Sequence, residues 1–332
     1  MIKMVCFGVR DTEVEYFNKL NEEYGYNLKL VTSGLTHDNV DEAIGAEAIM
    51  VRGNCKADRR NLELLKENGL KYVLTRTVGF DHVDLEAVKD LELKCARVPG
   101  YSPNAISELA VTLSMMLLRH TAYTVNRTSN KNFTIDSFMF SKEIRNCTVG
   151  VLGTGRIGLT TAKLFKGLGA KVLGYDIFQS DEAKEVVEFK SLDEVISESD
   201  VISIHMPYFK DSNYHIINDE FISKMKDGAI LVNTARGELQ DLEAIIRAIK
   251  SGKLAGFGTD VLEGESQVFF KDLNGQKLEN EVFEELVNLY PRVLITPHMG
   301  SYTDEALINM IGISYENLKE FINCGQCKNN IV

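Results

Sequence analysis

The most constraining feature of the sequence is a glycine pattern that directly follows an apolar run. The run 148–152 is typical of a buried strand, and Gly153, Gly155 and Gly158 follow it in the spacing GxGxxG. Gly153 would allow a tight turn, Gly155 would let the backbone approach a phosphate, and Gly158 would let a helix pack closely on the strand. The N-terminus of that helix would attract an anion. The pattern therefore predicts a strand, a turn and a helix that bind the pyrophosphate of a dinucleotide.

A carboxylate follows at the place where a ribose contact is expected. The next apolar run ends at Asp176, 18 positions after Gly158. An acid here accepts hydrogen bonds from ribose hydroxyls and repels a 2′-phosphate, so the expected cofactor is NAD and not NADP. Arg156 is expected to contact the pyrophosphate, unless it is a solvated surface residue. The other residues expected to contact NAD are Thr154, Ile157, His205, Pro207, Thr234, Ala235 and Asp260.

Short apolar runs alternate with helical patterns along the whole chain. In the first part, strands are expected at 4–9, 48–51 and 72–75, with helices at 14–24 and 61–68. In the second part, strands are expected at 148–152, 171–175, 201–205, 229–233, 256–261 and 293–296. Alternation of strands and helices predicts parallel sheets, and strands that are apolar on both faces are typical of buried ones.

Length, charge and cysteine content narrow the class of protein. A chain of 332 residues predicts two domains. There are 37 Lys and Arg against 48 Asp and Glu, so a net charge of −11 would repel nucleic acid and anionic lipid. The longest apolar run, 109–118, is too short to span a bilayer. Six scattered cysteines fit a reducing compartment, so we expect a cytoplasmic protein without a metal site, in which Cys324 and Cys327 are incidental thiols.

Three polar side chains follow predicted strands and suit the reduction of a 2-oxo acid. They are Arg236, Glu265 and His298. Ligands of open α/β sheets bind beyond the carboxyl ends of the strands, so we expect the three to converge. A guanidinium can hold a carboxylate, an imidazolium can give a proton to a carbonyl oxygen, and a carboxylate can keep that imidazole protonated. The alternatives are a surface ion pair for Arg236, a solvated loop acid for Glu265 and a structural role for His298.

With these residues in view, the chain resembles the D-2-hydroxyacid dehydrogenase family. The resemblance extends over essentially the whole sequence. Besides the glycine motif and Asp176, it rests on the segments 75–84, 98–104 and 233–237, on Asp260 with Glu265, and on Pro297-His298. It implies that Arg236 grips the substrate, that His298 is the acid and base, and that Glu265 is its partner. It also implies that the backbone N–H groups of Val78 and Gly79 bind the substrate carboxylate and that Tyr101 lines the pocket.

The resemblance also implies a fold. It predicts an α/β protein with two doubly wound parallel-sheet domains, a Rossmann NAD-binding domain and a smaller flavodoxin-like substrate domain. The NAD-binding domain would comprise residues 101–299, and the substrate domain residues 1–100 plus 300–332. A helical pattern at 301–321 would then return the chain to the first domain. The family further implies a homodimer and an (R) product.

The identity of the 2-oxo acid stays open at this point. Segments 51–55, 120–123, 138–143 and 290–293 are most similar to the family branch that includes (R)-2-hydroxyglutarate dehydrogenase. In that case Arg52 would meet a second substrate carboxylate; the alternative is a salt bridge to a neighbour such as Asp58. Val78-Gly79-Phe80 is similar to the lactate-type loop, and Met299 is a pliable side chain that suits varied substrates. We expect 2-oxoglutarate first, followed by branched-chain or aromatic 2-oxo acids and pyruvate.

The same motifs also fit other functions, and the chain has other histidines. The same fold serves as an NAD-sensing module in transcriptional corepressors, and phosphoglycerate and formate dehydrogenases belong to the same superfamily. His82 lies beside two aspartates and is interpreted as structural. His37, His120 and His215 have no polar residues around them in the sequence that would form a constellation typical of a catalytic or metal site.

Overall fold

The protein is described by a computed structural model that covers all 332 residues and divides into two compact units. Unit 1 comprises Met1–Ser102 together with Tyr302–Val332, and unit 2 comprises Pro103–Ser301. Each unit is built on one parallel sheet, which confirms the predicted α/β fold. None of the helices combines the length and the apolar character that a bilayer crossing requires.

Unit 1 holds a five-stranded parallel sheet. Its strands are β1 (Lys3–Phe7), β2 (Asn27–Val31), β3 (Ala48–Val51), β4 (Tyr72–Thr75) and β5 (Lys94–Arg97). They lie in the order β2-β1-β3-β4-β5, which is the flavodoxin-like order. The helices that connect them are α1 (Asp11–Tyr24), α2 (Arg59–Glu67) and α3 (Leu85–Asp90).

The sequence patterns predicted neither β2 nor β5. Strand β2 lies at the edge of the sheet and none of its five residues is buried, so it lacks an apolar run. Strand β5 begins at Lys94 and ends at Arg97, and only Cys95 and Ala96 between them are buried. Both strands are defined by pairing with a neighbour, which periodicity does not detect.

Unit 2 holds a seven-stranded parallel sheet. Its strands are β6 (Thr148–Leu152), β7 (Lys171–Tyr175), β8 (Glu188–Phe189), β9 (Val201–Ile204), β10 (Ala229–Asn233), β11 (Leu254–Thr259) and β12 (Val293–Ile295). Their order is β12-β11-β10-β9-β6-β7-β8. Counted from β6, this is the Rossmann order 3-2-1-4-5-6 with one further strand. Six of the seven strands were predicted, and the seventh, β8, is a two-residue edge strand.

Eight helices surround the sheet of unit 2. They are α4 (Pro103–Leu118), α5 (Thr121–Ser129), α6 (Arg156–Gly167), α7 (Asp181–Lys184), α8 (Leu192–Glu198), α9 (Asp219–Lys224), α10 (Leu242–Ser251) and α11 (Glu281–Asn288). Helix α4 packs closely on β11 because that strand has glycines at the contact. A Cβ on Gly256 would lie 2.9 Å from Leu117, and one on Gly258 would lie 3.1 Å from Leu113.

The last helix, α12 (Asp304–Cys324), belongs to unit 1. Its buried face carries Ile311, Tyr315, Leu318 and Phe321, which join the core beneath the five-stranded sheet. Burial of each such apolar side chain stabilises the fold by roughly 2 kcal/mol. The Tyr315 hydroxyl donates to the Phe17 carbonyl oxygen at 3.2 Å, so its polar end is satisfied as well. This packing ties the C-terminal segment to the N-terminal sheet.

Candidate active site

The glycine motif of unit 2 forms a turn in which two of the three glycines leave no room for a side chain. Gly153 has a φ of 91°, and a Cβ there would lie 2.6 Å from the Met206 nitrogen. A Cβ on Gly158 would lie 1.8 Å from the Gly153 carbonyl oxygen. At Gly155, which directly precedes α6, a Cβ would meet no atom within 4 Å. The first N–H groups of α6 have no partners within the helix, so this open space suits a phosphate.

Two further groups fit a dinucleotide at this end of the sheet. Asp176 follows β7, where its Oδ2 accepts hydrogen bonds from the Thr154 nitrogen at 2.6 Å and the Thr154 hydroxyl at 3.2 Å. Thr234 follows β10, and its buried hydroxyl has no hydrogen-bond partner in the protein. A buried hydroxyl without a partner costs about 1–3 kcal/mol, a cost that a ligand atom would remove. The residues present therefore fit NAD.

His205 follows β9 beside the same turn. Burial lowers its pKa to about 3, and its Nε2 lies 2.8 Å from the Ser203 hydroxyl. The ring is therefore neutral at physiological pH and cannot serve as a proton donor to a substrate. The backbone of His205 lies 2.7 Å from the position of a Cβ on Gly153, which places it against the glycine turn.

Arg236 lies in a turn that follows β10. Asn233 fixes this turn, since its Nδ2 donates to the Arg236 carbonyl oxygen at 2.8 Å and its Oδ1 accepts from the Ala235 nitrogen at 2.9 Å. The Arg236 guanidinium makes one hydrogen bond, to the Ala235 carbonyl oxygen at 2.8 Å, and no ion pair. A surface ion pair is thus excluded, and most of its N–H donors remain available for an anion.

Glu265 and His298 form a direct pair although 33 positions separate them. His298 Nδ1 lies 2.6 Å from Glu265 Oε1, and Glu265 Oε2 accepts from the Leu262 nitrogen at 3.1 Å. Burial alone would lower the pKa of His298, but the hydrogen bond and the charge of Glu265 outweigh burial and raise that pKa above its usual value. The charge of Arg236 acts in the opposite direction, which places all three side chains in one electrostatic neighbourhood.

The backbone of His298 is strained and is held in place by Asp260. His298 has a φ of 49°, a conformation that costs a residue other than glycine about 1–3 kcal/mol. Its nitrogen donates to the Asp260 carbonyl oxygen at 3.0 Å. The Asp260 carboxylate accepts from the Thr296 hydroxyl and from the Met299 and Gly300 nitrogens at 2.6, 2.9 and 2.9 Å. The sequence predicted a cofactor contact for Asp260, but three of its four acceptor positions serve the loop that carries His298.

Gly237 brings the Arg236 turn against the loop that carries Glu265. A Cβ on Gly237 would lie 2.2 Å from both the Glu263 nitrogen and the Leu262 carbonyl carbon. Any side chain here would push the two segments apart. Gly237 and Asn233 both lie in the motif around Arg236, but no sequence pattern indicated a role for either residue.

In unit 1, the Val78-Gly79 segment follows β4 and presents unpaired donors. Its carbonyl oxygens are engaged, since Arg97 donates to Val78 at 3.0 Å and the Thr77 hydroxyl donates to Gly79 at 2.6 Å. The N–H groups of Val78 and Gly79 donate to no acceptor in the protein. Tyr101 lies before α4, and its carbonyl oxygen accepts from Asn309 at 2.7 Å.

Arg52 lies after β3 and is engaged by a buried acid that the sequence did not suggest. Its Nη1 lies 3.8 Å from Glu13 Oε1 and 3.3 Å from the Gly8 carbonyl oxygen. Arg76 makes the closer contact with Glu13, at 2.9 Å. Burial and the neighbouring arginines lower the pKa of Arg52 to about 10. The alternative of a salt bridge to a neighbouring acid is confirmed, but the partner is Glu13. The example Asp58 was wrong, because Asp58 pairs with His37 and caps α2.

Three histidines outside the proposed set also have partners. The sequence indicated none for His37, but the structure corrects this, since His37 Nε2 lies 2.7 Å from Asp58 Oδ2. His82 Nε2 lies 3.0 Å from the Thr75 hydroxyl, and burial lowers its pKa to about 4, in keeping with the structural role predicted for it. His215 was expected to have no constellation around it, and the structure corrects this. Its Nε2 lies 2.7 Å from Glu263 Oε2, two residues before Glu265. No sequence motif indicated that pair.

Comparison with known proteins identifies the family of this chain. The model of the "D-isomer specific 2-hydroxyacid dehydrogenase, NAD binding domain" family matches residues 111–300. The chain belongs to the D-isomer specific 2-hydroxyacid dehydrogenases. As a member it is an NAD-dependent oxidoreductase, and the match covers the glycine turn, Asp176 and all three residues proposed for the chemistry.

Individual members of the 2-hydroxyacid dehydrogenase family are similar over their whole length. An aromatic 2-oxoacid reductase of Clostridium sporogenes is 42% identical, covering 100% of this chain and 99% of that protein. A D-lactate dehydrogenase of Lactiplantibacillus plantarum is also 42% identical, covering 99% of both. The crystal structure of D-lactate dehydrogenase with NAD+ from Lactobacillus jensenii has a TM-score of 0.86 at 32% identity, covering 100% of both chains.

Proposed function

We propose that the protein reduces a 2-oxo acid to the (R)-2-hydroxy acid, with His298 as the proton donor. The observation that carries this proposal is the 2.6 Å contact between His298 Nδ1 and Glu265 Oε1. Because Nδ1 is occupied by the carboxylate, Nε2 of the same ring is the nitrogen left to face a substrate. Glu265 favours the charged ring, so it helps to hold at Nε2 the proton that passes to the carbonyl oxygen.

Each unit offers a set of donors that suits a carboxylate. Arg236 offers a guanidinium without an ion pair, which can take a carboxylate through two parallel N–H bonds. The unpaired N–H groups of Val78 and Gly79 supply a second set of donors of the same kind. Orientation by such fixed donors lowers the entropic part of the barrier. NAD, when bound in its reduced form, supplies the hydride for this reaction.

For the substrate, we propose an aromatic 2-oxo acid first and pyruvate second, ahead of the 2-oxoglutarate that the sequence favoured. Two observations support this change of order. Similar proteins act, by name, on aromatic 2-oxo acids and on D-lactate. In addition, Arg52 is already close to Glu13 and the Gly8 carbonyl oxygen, so its charge is partly compensated. The flat guanidinium of Arg52 would suit an aromatic ring face. Met299, which is 39% exposed, is a pliable side chain that suits varied substrates.

The substrate assignment is tested by measuring kcat/KM for NADH oxidation with four acids. These are phenylpyruvate, pyruvate, 4-methyl-2-oxopentanoate and 2-oxoglutarate. The same panel is applied to Arg52→Gln and to the control Arg59→Gln, which removes a surface arginine paired with Asp90. The aromatic assignment would be contradicted by two results together: the parent protein prefers 2-oxoglutarate, and Arg52→Gln loses activity selectively on that acid.

The catalytic roles are tested with two variants. His298→Asn keeps a residue that tolerates positive φ, so the loop is expected to persist. We expect it to bind NADH as before and to lose about 10²–10⁴-fold in kcat, the usual contribution of a general acid. Arg236→Ala should mainly raise KM. Near-normal turnover of His298→Asn would refute the acid role. A protein that binds NADH but reduces none of the acids would favour the NAD-sensing alternative.

We further propose a cytoplasmic homodimer. The segment after α5 exposes Phe133, Ile135 and Phe140 to solvent at 75%, 88% and 90%. The same segment is fastened to α5 by the ion pair of Arg127 with Asp136, so its apolar side chains are held outward by a fixed backbone. Apolar side chains displayed in this way suit a second copy of the chain. Light scattering of Phe140→Asp should report monomers if the segment forms the interface.

A further inference from the structure

The loop that carries Glu265 is fastened by a second histidine-carboxylate pair outside the proposed catalytic set. Glu263 is bound through both of its carboxylate oxygens. Oε2 lies 2.7 Å from His215 Nε2, and Oε1 accepts from the Tyr214 hydroxyl at 3.0 Å. The rings of Tyr214 and His215 stack with centroids 3.9 Å apart and planes 16° apart. We call these three residues the Glu263 clamp.

The clamp contacts both loops on which the proposed chemistry depends. The His215 nitrogen donates to the carbonyl oxygen of Glu238 at 2.9 Å, two residues after Arg236. The side chain of the same residue holds Glu263, two residues before Glu265. Backbone contact at Gly237 already brings these segments together. His215 therefore connects the segment of the carboxylate-binding arginine to the segment of the acid's partner.

The backbone of His215 is held in a strained conformation. Its φ is 49°, close to that of His298, and a residue other than glycine pays about 1–3 kcal/mol for this conformation. Such strain persists only where the surroundings determine it. Here Glu238 and Asn218 bind the backbone nitrogen and carbonyl oxygen of His215, at 2.9 and 3.1 Å. The ring is thereby directed at Glu263.

We infer that Tyr214, His215 and Glu263 are positioning residues that fix the Glu265 loop and so set the proton affinity of His298. The inference rests on the proposed roles of Glu265 and His298. The groups that act on His298 are Glu265 and Asp260, which favour its charged form, and Arg236, which opposes it. Glu265 can stabilise the imidazolium only while its carboxylate stays at the 2.6 Å contact, so loosening its loop weakens that effect.

The test compares three variants with a matched control. His215→Asn tolerates the positive φ but is too short to reach Glu263; Tyr214→Phe keeps the stacked ring, and Glu263→Gln removes the charge. The control is His37→Asn, since the His37–Asp58 pair has the same 2.7 Å contact. The side-chain exposures also match, at 30% and 43% for that pair against 32% and 40% for His215 and Glu263.

We expect His215→Asn and Glu263→Gln to lower kcat about tenfold and to leave NADH affinity, read from nucleotide fluorescence, unchanged. The loss of reduction at high pH should begin at lower pH than in the parent protein, while His37→Asn should match the parent in all three measurements. An unchanged pH profile in the clamp variants, whether or not kcat or melting temperature falls, would overturn the inference. If His215→Asn does not fold, the pH profiles of Tyr214→Phe and Glu263→Gln test the inference in the same way. Near-normal activity of His298→Asn would instead refute the proposed function.

Discussion

Gly237→Ala tests whether the Arg236 turn and the Glu265 loop must touch. The added Cβ would lie 2.2 Å from the Glu263 nitrogen and from the Leu262 carbonyl carbon, whereas ordinary contacts begin at 3.4 Å. Both opposing atoms belong to backbone, which cannot rotate away as a side-chain end would. The segments must therefore separate by about 1 Å, a displacement that can cost on the order of 10²-fold in rate at a reacting centre.

The assay is kcat and KM for 2-oxo acid reduction, together with thermal unfolding and NADH fluorescence. We expect kcat to fall about 10²-fold and the stability to fall by about 1–3 kcal/mol from overpacking. NADH binding should be retained, because the atoms that the added Cβ meets belong to Leu262 and Glu263 and not to the glycine turn. Gly167→Ala is the matched control, since a Cβ there meets no atom within 4 Å and the residue ends a helix. It should be neutral or stabilise by about 0.5–1 kcal/mol. A Gly237→Ala protein with kcat within about threefold of the parent would refute the reasoning, because a separation of about 1 Å is expected to lower kcat about 10²-fold.

Three further variants address the proton donor, its loop and the cofactor. Glu265→Gln removes the group that keeps the pKa of His298 raised, so the decline of reduction with rising pH should begin at lower pH; an unchanged profile would exclude the pair as the acid. Asp260→Asn replaces one acceptor by a donor that faces a backbone N–H. The free energy of unfolding should therefore fall by about 1–3 kcal/mol, and kcat should fall by a larger factor than NADH affinity. Thr234→Val removes the unpaired buried hydroxyl, so the apo protein should keep or gain stability while NADH binds more weakly; equal NADH affinity would show that no cofactor atom uses it.

Much of the fold could be predicted because its signals are local. A buried parallel strand needs a run of apolar residues, and six strands of unit 2 carry such runs. The glycine turn could also be predicted, since Gly158 meets an atom of the same strand-turn-helix unit and Gly153 meets the residues that follow the adjoining strand β9. Strands β2 and β5 escaped prediction because neighbouring strands, and not their own residues, define them.

The contacts of individual side chains were less predictable. For Arg52 the sequence suggested a substrate carboxylate or a salt bridge to a neighbour such as Asp58, whereas the acid that it meets is Glu13 on α1. Nothing in the spacing of positions 13 and 52 indicates that they meet, because the meeting depends on how a helix and a strand end are placed by the sheet. The same holds for His215 and Glu263, which are 48 positions apart.

The sequence by itself determined the cofactor class, the reaction class and the residue types that carry the chemistry. Those follow from short motifs whose meaning depends on adjacent residues: the glycine turn, the acid after β7 and the polar side chains after buried strands. The tertiary structure alone decided which atoms pair. Parallel strands bring their carboxyl ends to one edge of a sheet, so the loops that hold Arg236, Glu265 and His298 become neighbours there, with partners such as Asp260 and Glu263 that hydrophobic periodicity does not record.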